Sequence, residues 1–132
     1  MNWYAITEDL DVDDRGPVEL SAAVRVIDEY ASRLRPFYES GEIAYAETTF
    51  GFSREDNYDF IEISLHTLQA MTLSVELPPS DADDRRAMWR GFYQRDFTIE
   101  SLDALKRHVT AYFTLTPDQF KIYLQANAKA SS

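Results

Sequence analysis

The chain has 132 residues, of which 45% are hydrophobic and 14% aromatic, so it is long and apolar enough to bury the core of one domain. It contains no cysteine, which excludes disulfide bonds, thiol catalysis and cysteine-ligated zinc. Its 13 basic and 23 acidic side chains give a net charge of −10, which repels nucleic acids and anionic membranes and attracts basic surfaces. We therefore expect no nucleic-acid partner and no membrane partner.

The net negative charge comes from the first half of the chain. Residues 1–62 carry 15 acidic and 5 basic side chains, whereas residues 63–132 carry 8 of each. The first residues, MNWYAITED, lack the basic and apolar regions of a secretory signal peptide, and no stretch approaches the roughly 20 apolar residues of a membrane span. Together with the absence of cysteine, these features predict a cytoplasmic protein.

The first predicted elements are a short strand, WYAIT (3–7), and a helix over residues 17–35. The helix is predicted because apolar residues recur at spacings of four and three and so line one face: Leu20, Val24, Ile27, Ala31 and Leu34. Pro17 suits the first helical turn, where no intrahelical bond needs its missing N–H. Pro36 is expected to end or kink the helix.

From residue 43 the apolar period changes to two, which is typical of β-strands. The predicted strands are residues 43–52, 59–67, 71–77 and 87–97. The short connection between the second and third of these strands favours an antiparallel hairpin.

Two helices are predicted to complete the chain, the first marked by Leu102, Leu105, Val109 and Tyr112. The second begins at TPDQ (116–119), where Thr116 is a suitable N-cap, Pro117 suits the first turn and Gln119 completes a capping box. The sequence thus predicts a single α+β domain over residues 1–132, with an N-terminal helix packed on an antiparallel sheet of three to five strands and two C-terminal helices. The small polar tail, residues 127–132, is expected to fray.

The densest acidic segment, EDLDVDDRG (8–16), does not match a calcium loop of the EF-hand type. Such a loop needs glycine at position 6 and a bidentate glutamate at position 12. Counting from Asp9 puts Asp14 and Leu20 at these positions, and counting from Asp11 puts Ala22 at position 12. A solvated lead-in to the helix is the simpler interpretation, because acids favour the positive N-terminal end of a helix, and an irregular divalent-cation site at residues 8–16 stays open as the alternative.

No catalytic motif is recognisable in the sequence. His66 and His108 lie on separate predicted elements, and nothing in their spacing brings them together as metal ligands. GFSRE (51–55) is the nearest approach to the nucleophile motif G-x-S-x-G, but Glu55 replaces the last glycine. Only 4 glycines are present, and they form no phosphate-binding loop. We therefore predict a non-enzymatic protein without a cofactor or a metal ion.

One face of the predicted sheet combines aromatic and acidic side chains, as a protein-recognition surface does. A solvated face without function has a similar pattern, so both interpretations stay open. The candidate partner-binding residues form two sets, one in the acidic segment and one on this face: Asp9, Asp11, Asp13 and Asp14, and Tyr45, Glu47, Phe60, Glu62 and Glu76.

In its size, its acidity and its lack of a catalytic signature the chain is similar to bacterial immunity proteins, which bind and neutralise a toxin. This resemblance is one of general character and involves no specific motif. It implies a binding protein that occludes a basic protein partner such as a toxin domain, with the acidic half of the chain accelerating the encounter.

Two alternatives belong to other classes of protein. The first is a small-ligand-binding or enzymatic domain with an aromatic-lined pocket, for which the candidate residues are Tyr45, Phe50, Phe52, Trp89 and Tyr93. The second is an oligomer formed through helix faces or sheet edges.

Overall fold

A computed structural model of the chain describes residues 1–7, 9–40, 48–54, 59–66, 71–78 and 93–131. These residues form three helices and seven strands, which confirms the predicted α+β class. In chain order they are β1 (Asn2–Ile6), β2 (Val12–Pro17), α1 (Leu20–Ser40), β3 (Thr49–Arg54), β4 (Asp59–Ser64), β5 (Met71–Leu77), β6 (Tyr93–Ile99), α2 (Leu102–Thr114), α3 (Pro117–Asn127) and β7 (Lys129–Ala130).

The seven strands make one antiparallel sheet in the order β2-β1-β3-β4-β5-β6-β7. Each described strand pairs with the strand that precedes or follows it in the sequence. The one pairing between strands that are not consecutive is that of β1 with β3, whose connection contains β2 and α1. The prediction of three to five strands was too low. It missed β2 and β7, which are too polar or too short for their local sequence pattern to reveal them.

The helices cover one face of the sheet, where alternate strand residues are fully buried. Ile61 and Ile63 of β4 and Leu73 of β5 belong to this core. From α1 the buried residues are Ala23, Val26, Ile27, Tyr30, Ala31 and Leu34. Leu20 and Val24, which were expected on the buried face, are only half-buried. None of the described helices is long and apolar enough to cross a membrane.

The acidic segment forms a turn and a strand rather than a lead-in to the first helix. Asp13 pairs with Ala5 and Asp14 with Tyr4, while Pro17 ends β2 opposite Asn2. The prediction that Pro17 begins a helix was therefore wrong, since α1 begins at Leu20. An outer strand tolerates proline because only one of its sides is hydrogen-bonded to a neighbour.

Pro36 does not end helix α1, which continues to Ser40. Proline inside a helix removes one hydrogen bond and costs roughly 3 kcal/mol. The next two residues, Phe37 and Tyr38, offset this cost because both pack against the core. The Tyr38 hydroxyl also donates a hydrogen bond to the Leu65 carbonyl. The local rule is therefore overridden by tertiary packing.

The two C-terminal helices begin as the sequence predicts. The Ser101 side chain accepts a hydrogen bond from the Ala104 N–H at the start of α2. In α3 the predicted capping box is present: Thr116 Oγ1 accepts from the Gln119 N–H at 3.2 Å, and Gln119 Oε1 accepts from the Thr116 N–H at 3.1 Å. These caps satisfy N–H groups that the helices themselves leave without a partner.

A buried polar cluster of Arg54, Asp59 and Tyr112 joins the β3–β4 hairpin to the end of α2. The Tyr112 hydroxyl donates to Asp59 Oδ1 at 2.7 Å, and Arg54 lies 3.6 Å from Asp59 Oδ2. The Arg54 guanidinium also donates to the carbonyls of Tyr112 and Leu115, at the negative end of the helix. Burial raises the pKa of the Asp59 carboxyl, and the Tyr112 hydroxyl and Arg54 oppose that rise.

His108 is a second buried polar residue and joins α2 to α3. Its side chain is 4% exposed, and its Nδ1 lies 2.8 Å from the Tyr123 hydroxyl. Burial lowers the pKa of His108, and the nearby positive charge of Arg107 lowers it further. The folded protein therefore favours neutral imidazole at this position.

We expect the stability of the protein to fall as the pH decreases from about 7.5 to about 5, because the unfolded chain binds a proton at His108 near the ordinary pKa of about 6.5 and the folded chain does so only at lower pH. Urea denaturation across this range measures the effect. The control is His108→Gln, which keeps a hydrogen-bonding group and cannot titrate. The stability difference between parent and variant should narrow on acidification, and a constant difference would contradict the assignment.

Candidate functional site

The face of the sheet that points away from the helices is the main candidate for a binding surface, and we call it the open face. Residues directly opposite each other in antiparallel strands point to the same side of the sheet. A register-matched row with one residue from each of six adjacent strands therefore runs across this face: Asp14, Tyr4, Gly51, Glu62, Ser74 and Asp96.

Within this row, Tyr4 reaches across strand β3 to Glu62 on the far side. Its hydroxyl donates to Glu62 Oε1 at 3.0 Å. The path is open because Gly51, which lies between them, has no side chain, and a Cβ there would collide with the Tyr4 ring. Burial and the Glu62 carboxylate raise the pKa of the Tyr4 hydroxyl, which therefore remains protonated as a donor.

A second register-matched row, which includes Phe60, Glu76 and Gln94, lies beside the first. The Gln94 side chain donates to Glu76 Oε1 at 2.6 Å and so orients that carboxylate. A depression of about 300 Å³ between β4, β5 and β6 is lined by the open-face residues Phe60, Ser74, Glu76, Gln94 and Asp96 and by Val75 and Arg95 at the positions between them. The half-buried Phe60 ring thus borders acidic and amide groups.

The two faces of the described sheet differ in charge, because no described strand arginine lies on the open face, whereas Asp13 and Asp59 on the helix side each pair with an arginine. The open face carries four carboxylates and one cation, Lys129, at its far edge: Asp14, Glu62, Glu76 and Asp96 are the acids. The three described strand arginines point to the helix side, where Arg15 lies over Trp3, Arg54 over Tyr112 and Arg95 over Tyr93. The open face is therefore negative although the second half of the chain is neutral in total.

The β1–β2 hairpin places its four aspartates at the outer edge of the sheet. Asp9 and Asp11 are exposed at its turn. Asp13 forms an ion pair with Arg15 at 2.7 Å on the helix side, whereas Asp14 belongs to the open face, where its carboxylate accepts from the Gly16 N–H at 3.0 Å. Of these four residues, only Asp14 continues the acidic row.

The structure brings Phe60, Glu62 and Glu76 together on the open face, as the alternation of the strands predicts. Tyr45 and Glu47 lie outside the described residues. Sequence reasoning missed Asp96 and Tyr4. Asp96 alternates with Gln94 within a predicted strand, so the period of two contained the signal.

Two of the residues suggested for an aromatic pocket are core residues. Phe50 and Phe52 are fully buried, and the Phe50 ring lies 4.3 Å from the Tyr30 ring and 5.9 Å from the Phe52 ring. Tyr93 is half-buried under Lys121, and Tyr45 and Trp89 lie outside the described residues. Phe50 and Phe52 therefore contribute to packing and not to an open pocket.

The described part of the chain contains no group of three or more histidine, cysteine, aspartate or glutamate side chains arranged to hold a metal ion. His66 is exposed beyond the end of β4, and His108 is buried in α2.

Comparison of the chain with protein-family models, with curated proteins and with solved structures gives no match. The function proposed below accordingly depends on the geometry and charge of the open face.

Proposed function

We propose that this protein is a non-enzymatic acidic binding protein that occludes a basic surface of a protein partner, in the manner of an immunity protein that inhibits a toxin. The observation that carries the proposal is the open face, on which Asp14, Glu62 and Asp96 share one row and Glu76 lies in the next, while the described strand arginines point to the helix side. A face of one sign attracts a partner of the opposite sign and orients it during the encounter.

The dimensions of the open face suit a protein partner. Six strands spaced about 4.8 Å apart span roughly 24 Å, and a strand of six residues is about 20 Å long. These dimensions give a flat area of about 480 Å², roughly three-fifths of the 800 Å² of accessible surface that one partner contributes to an ordinary protein interface, and the relief of the side chains adds to it.

The carboxylates are close enough to act together. Glu62 and Asp96 occupy one row two strands apart, which is roughly 10 Å, and the Debye length at physiological salt is about 8 Å. A basic group midway between them would lie about 5 Å from each carboxylate, within one Debye length, and would be attracted by both. The half-buried aromatic rings of Tyr4 and Phe60 lie among these charges and supply the apolar contact area that commonly dominates binding energy.

The proposal is tested with a triple variant of the open face, Glu62→Gln, Glu76→Gln and Asp96→Asn. The parent chain and the variant are immobilised and exposed to native lysate, and a protein retained by the parent alone is identified and purified. We expect a basic partner whose association with the triple variant is slower by about tenfold or more, as measured by stopped-flow fluorescence.

A matched control changes the same number of charges on the helices: Glu29→Gln and Glu39→Gln in α1 and Asp118→Asn in α3, all at exposed positions. This control should associate at nearly the parental rate. The proposal is wrong if the two triple variants bind equally, or if the parental association rate is the same at about 50 mM and about 500 mM salt.

A further inference from the structure

The outer edge of strand β2 has backbone groups that pair with no described strand. β2 is the last strand on its side of the sheet and pairs only with β1 there. The Thr7 N–H donates to the Asp11 carbonyl at 2.9 Å, so these two residues form a hydrogen-bonded pair at the start of the hairpin. Because such pairs alternate along antiparallel strands, the N–H and C=O groups of Val12 and Asp14 point outward.

Proteins usually protect a free edge with a bulge, a proline or charged side chains. The last part of β2 has a bulge and a proline. The bulge is at Arg15, which is an extra residue because Trp3 pairs with Gly16 and Tyr4 with Asp14, and the proline is Pro17, which lacks an N–H. Val12–Asp14 has neither device. Within the described part of the chain, the charged side chains are the protection that this part of the edge has against other chains.

The same part of the hairpin also exposes apolar side chains. Val12 is 68% exposed and Leu10 is 83% exposed, and they are two of the three large hydrophobic residues exposed in the described part of the chain. Leu10 has a φ of 64°, a conformation that leucine rarely adopts. Neither side chain is buried in the core, so core packing does not explain why these two positions are apolar.

We propose that the outer edge of β2 at Val12–Asp14 pairs with an extended segment of a protein partner that carries lysine or arginine at alternate positions. Strand addition of this kind derives its affinity from backbone hydrogen bonds and its specificity from alternate side chains. Basic side chains at alternate positions of the added strand would lie opposite Asp14 and Val12, where an aliphatic stem can cover the exposed Val12, and the apolar residue between them would lie opposite Asp13, which already pairs with Arg15.

Charge selects this occupant over a second copy of the chain. Asp9, Asp11, Asp13 and Asp14 are all exposed at this edge, and Arg15 is the single base among them. Pairing two such edges would place like charges opposite each other, which destabilises a sheet. A basic segment removes that repulsion. Its basic side chain opposite Asp14 would lie at the end of the acidic row of the open face.

The test uses a seven-residue peptide of alternating lysine and valine with blocked ends. Its matched control is the same peptide N-methylated at its lysines, which keeps the charge and removes the N–H groups that point to the β2 edge when lysine lies opposite Asp14. Each is titrated into isotope-labelled protein, and amide exchange is followed by NMR. At a peptide concentration about ten times its Kd, exchange at Val12 and Asp14 should slow about tenfold with the first peptide and remain unchanged with the second.

A protein variant provides the complementary control. Val12→Pro removes an amide that points away from β1 and should abolish the binding of the peptide, whereas Val12→Thr keeps that amide and should retain it. Equal binding of both peptides, equal binding to both variants, or a concentration-dependent protection of Val12 and Asp14 without peptide would overturn the proposal, the last by indicating a second copy at this edge.

The inference concerns the outer edge of the sheet, which shares Asp14 with the open face, but the two proposals can fail separately. The open-face variant Glu62→Gln, Glu76→Gln and Asp96→Asn leaves the β2 edge intact and should bind the alternating peptide within about twofold of the parent. Loss of peptide binding in that variant would assign the binding to the open face and overturn strand addition.

Discussion

Replacing Gly51 with alanine is expected to lower the free energy of unfolding by about 2–3 kcal/mol, at the upper end of the range for overpacking in a well-filled region. The new methyl group would collide with the Tyr4 ring and would lie 2.7 Å from the Ile61 carbonyl oxygen. The ring must therefore move, and the hydrogen bond from Tyr4 to Glu62 is lost with it. Urea denaturation of the parent and the variant measures the change.

A double-mutant cycle with Tyr4→Ala separates the two collisions. In the Tyr4→Ala background the Gly51→Ala substitution should cost less, because only the contact with Ile61 remains. Tyr4→Phe serves as a second control, since it keeps the ring and removes the hydrogen bond alone. Additive effects of Gly51→Ala and Tyr4→Ala would show that Tyr4 does not depend on the glycine.

The second large effect is expected at Asp59, where substitution by alanine should lower the free energy of unfolding by about 3 kcal/mol. The carboxyl is 1% exposed and is the partner of both the Tyr112 hydroxyl and the Arg54 guanidinium. Its removal leaves a buried hydroxyl without an acceptor and a largely buried cation without its counter-charge. Thermal or urea denaturation followed by circular dichroism provides the measurement.

Two milder substitutions identify which contact matters. Tyr112→Phe removes one hydrogen bond and should cost about 1–2 kcal/mol. Asp59→Asn keeps an acceptor for Tyr112 and removes the ion pair, so its cost should lie between the other two. If Asp59→Ala is no more destabilising than Tyr112→Phe, the ion pair with Arg54 makes no net contribution to stability.

These predictions rest on contacts between residues that are far apart in the chain, and the sequence could not supply them. Tyr4 and Glu62 are 58 positions apart, as are Arg54 and Tyr112. Gly51 shows the difficulty most clearly, because a glycine in a strand pattern signals a bulge, a bend or a close approach without identifying the group that approaches. Only the pairing of β1 with β3 brings the Tyr4 ring over it.

Local sequence patterns correctly predicted the features that depend on residues close together in the chain. The period of two in β4 and β5 placed Phe60, Glu62 and Glu76 on one face, and the capping box of Thr116 and Gln119 began α3 as predicted. They were wrong at Pro17, which ends β2 and does not begin a helix, and at Pro36 they were wrong in allowing the helix to end there. At both prolines the preference of a short segment was outweighed by pairing or packing with distant residues.

The sequence by itself determined the acidity of the first half of the chain, the α+β class and the faces of its central strands, because composition and side-chain alternation are properties of neighbouring residues. The tertiary structure alone decided that the acidic segment is the outer strand of the sheet and that Asp14, Glu62 and Asp96 form one row. The physical reason is strand register. Alternation assigns a side chain to a face, but only backbone pairing between distant segments determines which side chains on that face lie next to each other.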